Sequence, residues 1–323
     1  MTVPILGIDV SKDTLHLALV KGESRPQKKT VTNDATGFAQ LQQWLSDQQV
    51  GQLHACLEAT NTYGQAIATE LYQQGHRVSI VNPARVQGFA QGELSRTKND
   101  SADAATIARF CAAMQPKTWH PLTPEADELQ QLTRRLEMLQ RMIGQEKNRL
   151  GTATVTLQEE IEAHIEFMQE QFTKLEHKIQ QHIEKYESLN QALELLVSIK
   201  GISTRSGSQI LAEISRWKEF RSARQLAAYA GLTPQEKQSG SSVHGKTRLC
   251  KIGNAHLRRA LYFPALTSLR WSPPIQAWAE QLRAKGKTKM QVVGAVMHKL
   301  VRIIYGVLKS GKPFDPALLM PNP

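Results

Sequence analysis

The sequence predicts an α/β domain on a mixed sheet, then a long helical coiled-coil segment, then a mainly α-helical C-terminal domain with a helix-hairpin-helix-like element. Three observations predict it. Short β-rich runs alternate with helical patterns up to about residue 115; a long stretch without proline follows, with apolar residues at three- and four-residue steps; and apolar helices joined by glycine-containing turns fill the remainder. The boundaries fall at 1–115, 116–190 and 191–323. With 323 residues, 41% of them hydrophobic and 21% charged, the chain has globular usage and room for two or three domains, which excludes disorder as its main state.

In the first segment Pro4 to Val10 reads as a buried strand and Thr14 to Val20 as its alternating hairpin partner, with Ser11, Lys12 and Asp13 turning between them. A third strand is expected near Lys29 to Asn33, and a helix over Gly37 to Gln48 with Phe38, Leu41, Trp44 and Leu45 on one face. Leu53 to Leu57 is strand-like and ends at Glu58. Tyr63 to Gln74 is helical, Arg77 to Val81 is a strand stopped by Asn82 and Pro83, and the alanine-rich run Ser101 to Met114 is a helix with Ser101 as its cap. Three prolines between Pro116 and Pro124 make a linker. Beyond it Leu129, Leu132, Leu136, Leu139 and Ile143, and after Gly151 a second series from Ile161 to Ile183, trace two long amphipathic helices, a seam for spacing or oligomerisation.

The longest apolar stretches fall short of a membrane span and Asp9 interrupts the N-terminal apolar run, so no membrane and a cytoplasmic location are expected. Cys56, Cys111 and Cys250 lack metal-ligand spacing and read as plain thiols. The net charge of +11 is unevenly spread: 10 basic and 10 acidic residues before 116, 9 and 13 in the middle, 21 and 6 from 191 onward. Such a basic last third suits a nucleic-acid polyanion. Within it, Leu195 to Ser203 and Ser206 to Ile214 form two apolar helices around Lys200 and Gly201, a turn able to cradle a phosphate or simply to join two packed helices.

Asp9 and Glu58 close strands, and Asp100 and Asp103 open a helix three residues apart. Strand ends on one edge of a sheet lie near the start of a following helix, so the four acids can converge. Two carboxylates ~4 Å apart repel by roughly 4 kcal/mol at an effective dielectric near 20, so converged acids would hold protons or a divalent cation, and oxygen ligands favour Mg²⁺ or Mn²⁺. Singly, Asp9 could cap its turn and Asp100 its helix. In the C-terminal segment the loop from Gln238 to Lys246 is rich in glycine and serine and precedes Arg248, Lys251, Arg258 and Arg259. Small residues let backbone approach phosphate and the cations stabilise its charge. Taken alone, its serines read as turn and cap residues.

The motifs GIDVSKD, LEATNTYG, VNPARVQGFA and KNDSADAATIARF, then AAYAGLTPQEKQSGSSVHGK, KIGNAHLRRALY and YGVLKSGKPFD, resemble in this order the Piv-type DNA invertases and insertion-sequence transposases. The resemblance covers nearly the whole chain. It implies an RNase H/RuvC-like DEDD domain with its acids on Asp9, Glu58, Asp100 and Asp103, and a C-terminal transposase domain whose nucleophile is Ser239. His244 stands where an arginine is common in related sequences. The resemblance further implies donor and target DNA as substrates, a structured bridge RNA that pairs with both, and a homo-oligomer, a dimer or tetramer, in which acids and serine come from different subunits. Nucleic-acid contacts are expected at Lys200, Gly201, Lys246, Arg248, Lys251, Arg258 and Arg259. The competing readings are a metal-dependent nuclease of the Holliday-junction-resolving kind, with water as nucleophile, and a non-catalytic nucleic-acid scaffold.

Overall fold

The computed structural model describes residues 3–59, 62–93, 100–235, 238–239, 243–244 and 248–319, the side chains of 62, 100–102, 238–239, 243–244 and 318–319 excepted. Two compact units divide the chain, Met1–Pro121 and Leu122–Pro323.

In the first unit β1 (Ile5–Val10), β2 (Thr14–Val20) and β3 (Gln27–Thr32) form an antiparallel meander. The Ser11 hydroxyl closes the first turn on the Thr14 carbonyl at 2.9 Å. On the other side of β1 lies β4 (His54–Glu58), parallel to it, and then β5 (Arg77–Val81), parallel to β4. The resulting order β3-β2-β1-β4-β5 is the RNase H-like arrangement that the resemblance implied.

Alternation along the strands assigns the two faces. Leu6, Ile8, Ala55 and Leu57 share one core with α1 (Ala35–Asp47) and α2 (Gln65–Gln73), through Leu41, Leu45, Ile67 and Leu71. The intervening positions turn to the opposite face, where α4 (Asp100–Met114) packs through Ala104, Ile107, Phe110 and Cys111. The approach is close because both sides are small. A methyl group at Gly7 would lie 2.1 Å from the Ala104 carbonyl oxygen and 2.6 Å from the Ala108 nitrogen.

The sequence reading missed α3 (Pro83–Gly92). Asn82 and Pro83 do end the strand, but they also start a helix: the Asn82 side chain accepts the Ala84 N–H at 2.9 Å, and proline needs no donor at a first helical position. Ser101, expected as the cap of α4, lies one residue inside it.

The second unit opens with a hairpin of α5 (Pro124–Leu150) and α6 (Val155–Lys185). After it come α7 (Glu187–Val197), α8 (Thr204–Glu213) and α9 (Ala223–Tyr229). Two short pairs follow, β6 (Pro234–Gln235) with β9 (Arg248–Leu249) and β7 (Gln238–Ser239) with β8 (Val243–His244). The last helices are α10 (Ala255–Ala260), α11 (Tyr262–Trp271), α12 (Pro273–Ala284) and α13 (Lys289–Ser310). Leu129 and Leu136 of α5 and Ile179 and Ile183 of α6 share one core with Leu196, Ile210, Leu300 and Ile304. The hairpin expected as a segment of its own is therefore rooted in the C-terminal helices. Against expectation, α13 is long and apolar enough to cross a membrane, but 61% of its most apolar window is buried in this core.

One buried carboxylate organises this unit. Glu213, 6% exposed, accepts two bonds from the Arg134 guanidinium at 2.9 and 3.2 Å and one from the Asn254 amide at 2.7 Å. Asn254 also caps α10 through the Leu257 N–H and donates to the Tyr229 hydroxyl. Glu213 and Asn254 together thus tie α5, α8, α9 and α10.

Two outcomes follow for stability. Gly7→Ala must push α4 off β1, so urea unfolding should show a loss of about 1–3 kcal/mol, the range for overpacked cores; an unchanged midpoint would refute the close approach. Glu213→Ala removes three hydrogen bonds and leaves Arg134, 37% exposed, to water, and should cost about 1–3 kcal/mol by the same measurement.

Candidate active site

Asp9 follows Ile8 on β1 and Glu58 follows Leu57 on β4, and Ile8 pairs with Leu57 in parallel register. The two acids therefore lie side by side at the carboxyl ends of adjacent strands. Both occupy the positions that alternate away from Leu6, Ile8, Ala55 and Leu57, on the face covered by α4. Asp103, half-buried, is in the first turn of that helix, and Asp100 precedes it by three residues, with its side chain outside the described ones.

Electrostatics report the convergence. The Glu58 carboxyl is pushed above the usual carboxylate range, first by burial, then by the negative charges of Asp9 and Asp103. The structure thus brings Asp9, Glu58 and Asp103 into one field. Among the described residues no three His, Cys, Asp or Glu side chains close into a ready metal cluster. The donors are nevertheless hard carboxylate oxygens on adjoining elements, a set that a divalent cation fits.

Beneath the acids lies a polar chain whose members are scattered in sequence and meet only in the fold. Cys56 and Cys111 are fully buried and hydrogen-bonded to each other, one on β4 two residues before Glu58, the other on α4. The bond from Cys56 holds the Cys111 thiol down at about 6, with a further contribution from His54, while the Cys56 thiol is pushed up. His54 Nδ1 lies 3.5 Å from the Cys111 sulfur, and its Nε2 lies 2.8 Å from the Ser79 hydroxyl, which in turn reaches the Lys117 carbonyl at 3.0 Å. These thiols fasten α4 to β4, and His54 carries the link on to Ser79 of β5.

In the second unit Ser239 ends β7, its side chain outside the described ones, and Lys246 lies outside the described residues. Arg248 is exposed on β9. Lys251 is exposed and left-handed, with φ 57°, and its N–H bonds the Gly231 carbonyl at 3.1 Å. Arg258 donates to the Ala230 carbonyl at 3.0 Å, and burial, then the neighbouring Arg259, lowers its pKa from the usual guanidinium value. Arg258 and Lys251 thus brace the turn that leads into the serine loop. Lys200 and Gly201 belong to a different place. Gly201 has φ 109°, and a methyl there would meet the Ser268 hydroxyl at 2.3 Å, so glycine is needed to seat the α7–α8 turn on α11. The Lys200 side chain is exposed, and Arg259 pairs with Glu137 at 2.7 Å. Glu213 and its network under Tyr229 and Asn254 were missed; the signal was an acid inside the apolar run ILAEI.

Residues 6–157 match a transposase family model of the DEDD IS110 type, and residues 193–280 match the model described as Transposase IS116/IS110/IS902 family. The chain is 33% identical over 318 residues to the pilin gene-inverting protein of Moraxella bovis, covering 98% of each. It is 23% identical to the transposase for insertion sequence element IS1328 of Yersinia enterocolitica, over 97% of this chain and 99% of that one. Among solved structures, Thermus thermophilus RuvC in complex with a Holliday junction substrate matches 36% of this chain and 100% of its own, with 18% identity and a TM-score of 0.29. End-to-end similarity at this level, with both family models matched in order, places the chain in the IS110/IS116 family of DEDD transposases, as a homologue of the pilin gene-inverting proteins.

Proposed function

We propose that this chain is an insertion-sequence recombinase that cuts and rejoins donor and target DNA in the cytoplasm through a covalent link to Ser239. The observation that carries the reading is the convergence of Asp9, Glu58 and Asp103 at one edge of an RNase H-like sheet, in a chain similar over its whole length to a gene-inverting protein. In the proposed step the Ser239 hydroxyl attacks a phosphodiester, forming an oxygen–phosphorus bond, losing its proton and releasing one sugar hydroxyl, which takes up a proton. Attack by the hydroxyl of the other strand then reverses the link. No bond energy is lost to water, which suits rejoining.

Asp9, Glu58, Asp100 and Asp103 would hold Mg²⁺ or Mn²⁺, which supplies Lewis-acid stabilisation of the phosphate charge. Lys246, Arg248 and Lys251 flank the serine loop and would neutralise the phosphates on either side of the reacting one. Arg258 keeps that loop's base in place through Ala230. Lys200, Gly201 and Arg259 would contact backbone further along the nucleic acid. Phosphate contacts set position without reading sequence, so site choice by a paired bridge RNA is consistent with a basic surface of this kind. A dimer or tetramer would supply the two or more strand cuts that recombination needs.

The test is a denaturing gel of labelled donor and target DNA with the protein, its co-expressed RNA and Mg²⁺. A DNA-linked protein band is expected for the wild type and absent in both Ser239→Ala and Asp9→Ala. Cleavage that survives Ser239→Ala without an adduct would mean a metal nuclease using water. For the acids, Glu58→Gln should melt higher than the wild type at pH 8 in chelator. A carboxyl with a raised pKa stabilises the fold only while protonated and loses that contribution as pH rises through the raised value, so the difference should vanish below about pH 4. Mg²⁺ should raise the wild-type midpoint and leave that of Glu58→Gln unmoved.

A further inference from the structure

The second unit holds a pocket of about 830 Å³ that takes no part in the chemistry proposed above, although Gly201 and Arg259 line it. Its volume falls in the range of about 300–1,000 Å³ typical of small-molecule sites. Helix α5 supplies Arg134, Glu137 and Arg141, the start of α8 supplies Arg205, and α10 and α11 supply Arg259 and Phe263.

Two of the guanidinium groups are held by paired hydrogen bonds. Arg134 is clamped by buried Glu213, and Arg205 by both Glu176 oxygens, with its guanidinium carbon 5.0 Å from the centre of the Phe172 ring. Arg259 lies 2.7 Å and Arg141 3.7 Å from the same carboxylate, Glu137, which also takes His256. Four arginines thus face three carboxylates, Glu137 and Glu213 in the lining and Glu176 behind Arg205, which leaves a surplus of one positive charge. A guanidinium has five donors, and Arg134 and Arg205 each spend two on their carboxylates, so donors remain for an anion.

At the rim stands Phe263, 66% exposed, the most exposed aromatic side chain among the described residues. Its ring meets Tyr262 edge-on at 5.5 Å. Burial gives no reason for a phenyl face in water beside a cluster of cations. Interleaved cations and exposed aromatics are what single strands use, because an unpaired base offers a free face for stacking and its phosphate a charge. A duplex hides its base faces and gains nothing from Phe263.

We propose that this pocket holds an unpaired nucleotide of a single-stranded nucleic acid, its base stacked on Phe263 and its phosphate among Arg205, Arg141 and Arg259. The assignment rests on the reading of the chain as a nucleic-acid enzyme and adds a second, non-catalytic site to it. The site would retain a strand displaced or left unpaired while others are exchanged.

The experiment is fluorescence anisotropy of the full chain with labelled oligo-dT, oligo-U and a blunt DNA duplex, using the wild type and Phe263→Ala, Phe263→Leu and Phe263→Trp. Because Phe263 is exposed, the substitutions leave the core intact, which circular dichroism checks. Loss of one stacked base is expected to weaken single-strand binding about tenfold in Phe263→Ala and Phe263→Leu. Phe263→Trp should restore it, and duplex binding should not change. A loss on dT alone assigns the strand to DNA, on U alone to RNA, and on both to either. Unchanged single-strand affinity, equal losses on duplex and single strand, or no single-strand binding by the wild type would each overturn the pocket. Duplex binding and the Ser239 adduct would then still decide the recombinase reading separately.

Discussion

Helix α4 lies on β1 at a distance set by Gly7, where the smallest added carbon would run into the Ala104 carbonyl. That contact fixes where the helix start meets the strand ends, and with it where Asp103 meets Asp9 and Glu58. The placement is electrostatically unfavourable: burial first, then the charges of Asp9 and Asp103, raises the proton affinity of Glu58. Burial of Ile107, Phe110 and the small side chains around Gly7 must therefore outweigh the repulsion. The thiol pair and the chain from His54 to Lys117 add directional bonds that keep the helix from sliding. A protein interior is close-packed and yields little, so a steric limit on one side and hydrogen bonds on the other can hold like charges together.

The second unit uses charge in the opposite way. Its sequence is strongly basic, yet in the folded core the cations are distributed around a few carboxylates, Glu213 and Glu137 above all. Each pair spends only part of a guanidinium's hydrogen-bonding capacity and fixes its direction. Arg258 is turned inward to a backbone carbonyl and serves the loop, whereas Arg248 and Lys251 are left to solvent beside it. Basic residues close in sequence thus do different jobs, and only their partners tell them apart.

The sheet was legible because its strands alternate or run apolar and end on polar residues, Asp9 and Glu58 among them. Their convergence was expected from strand ends meeting a helix start, but the register that sets them side by side joins two strands far apart in sequence and is a tertiary fact. Helix α3 escaped because a proline after a strand reads as a stop, although the same proline is well suited to a first helical turn. The rooting of the α5–α6 hairpin was hidden for a similar reason: a leucine stripe announces a partner without saying which one. Glu213 and Cys111 show the same limit, as ordinary residues in sequence whose roles exist only through neighbours on other elements.

The acids at the ends of β1 and β4 and at the start of α4 are expected to form one cation site. Water-proton relaxation of Mn²⁺ titrated into the full chain tests this directly, with Glu58→Gln and Asp9→Asn beside the wild type. Saturable binding by the wild type that either substitution abolishes is the expected result. Equal Mn²⁺ binding by all three proteins, or none by the wild type, would contradict it.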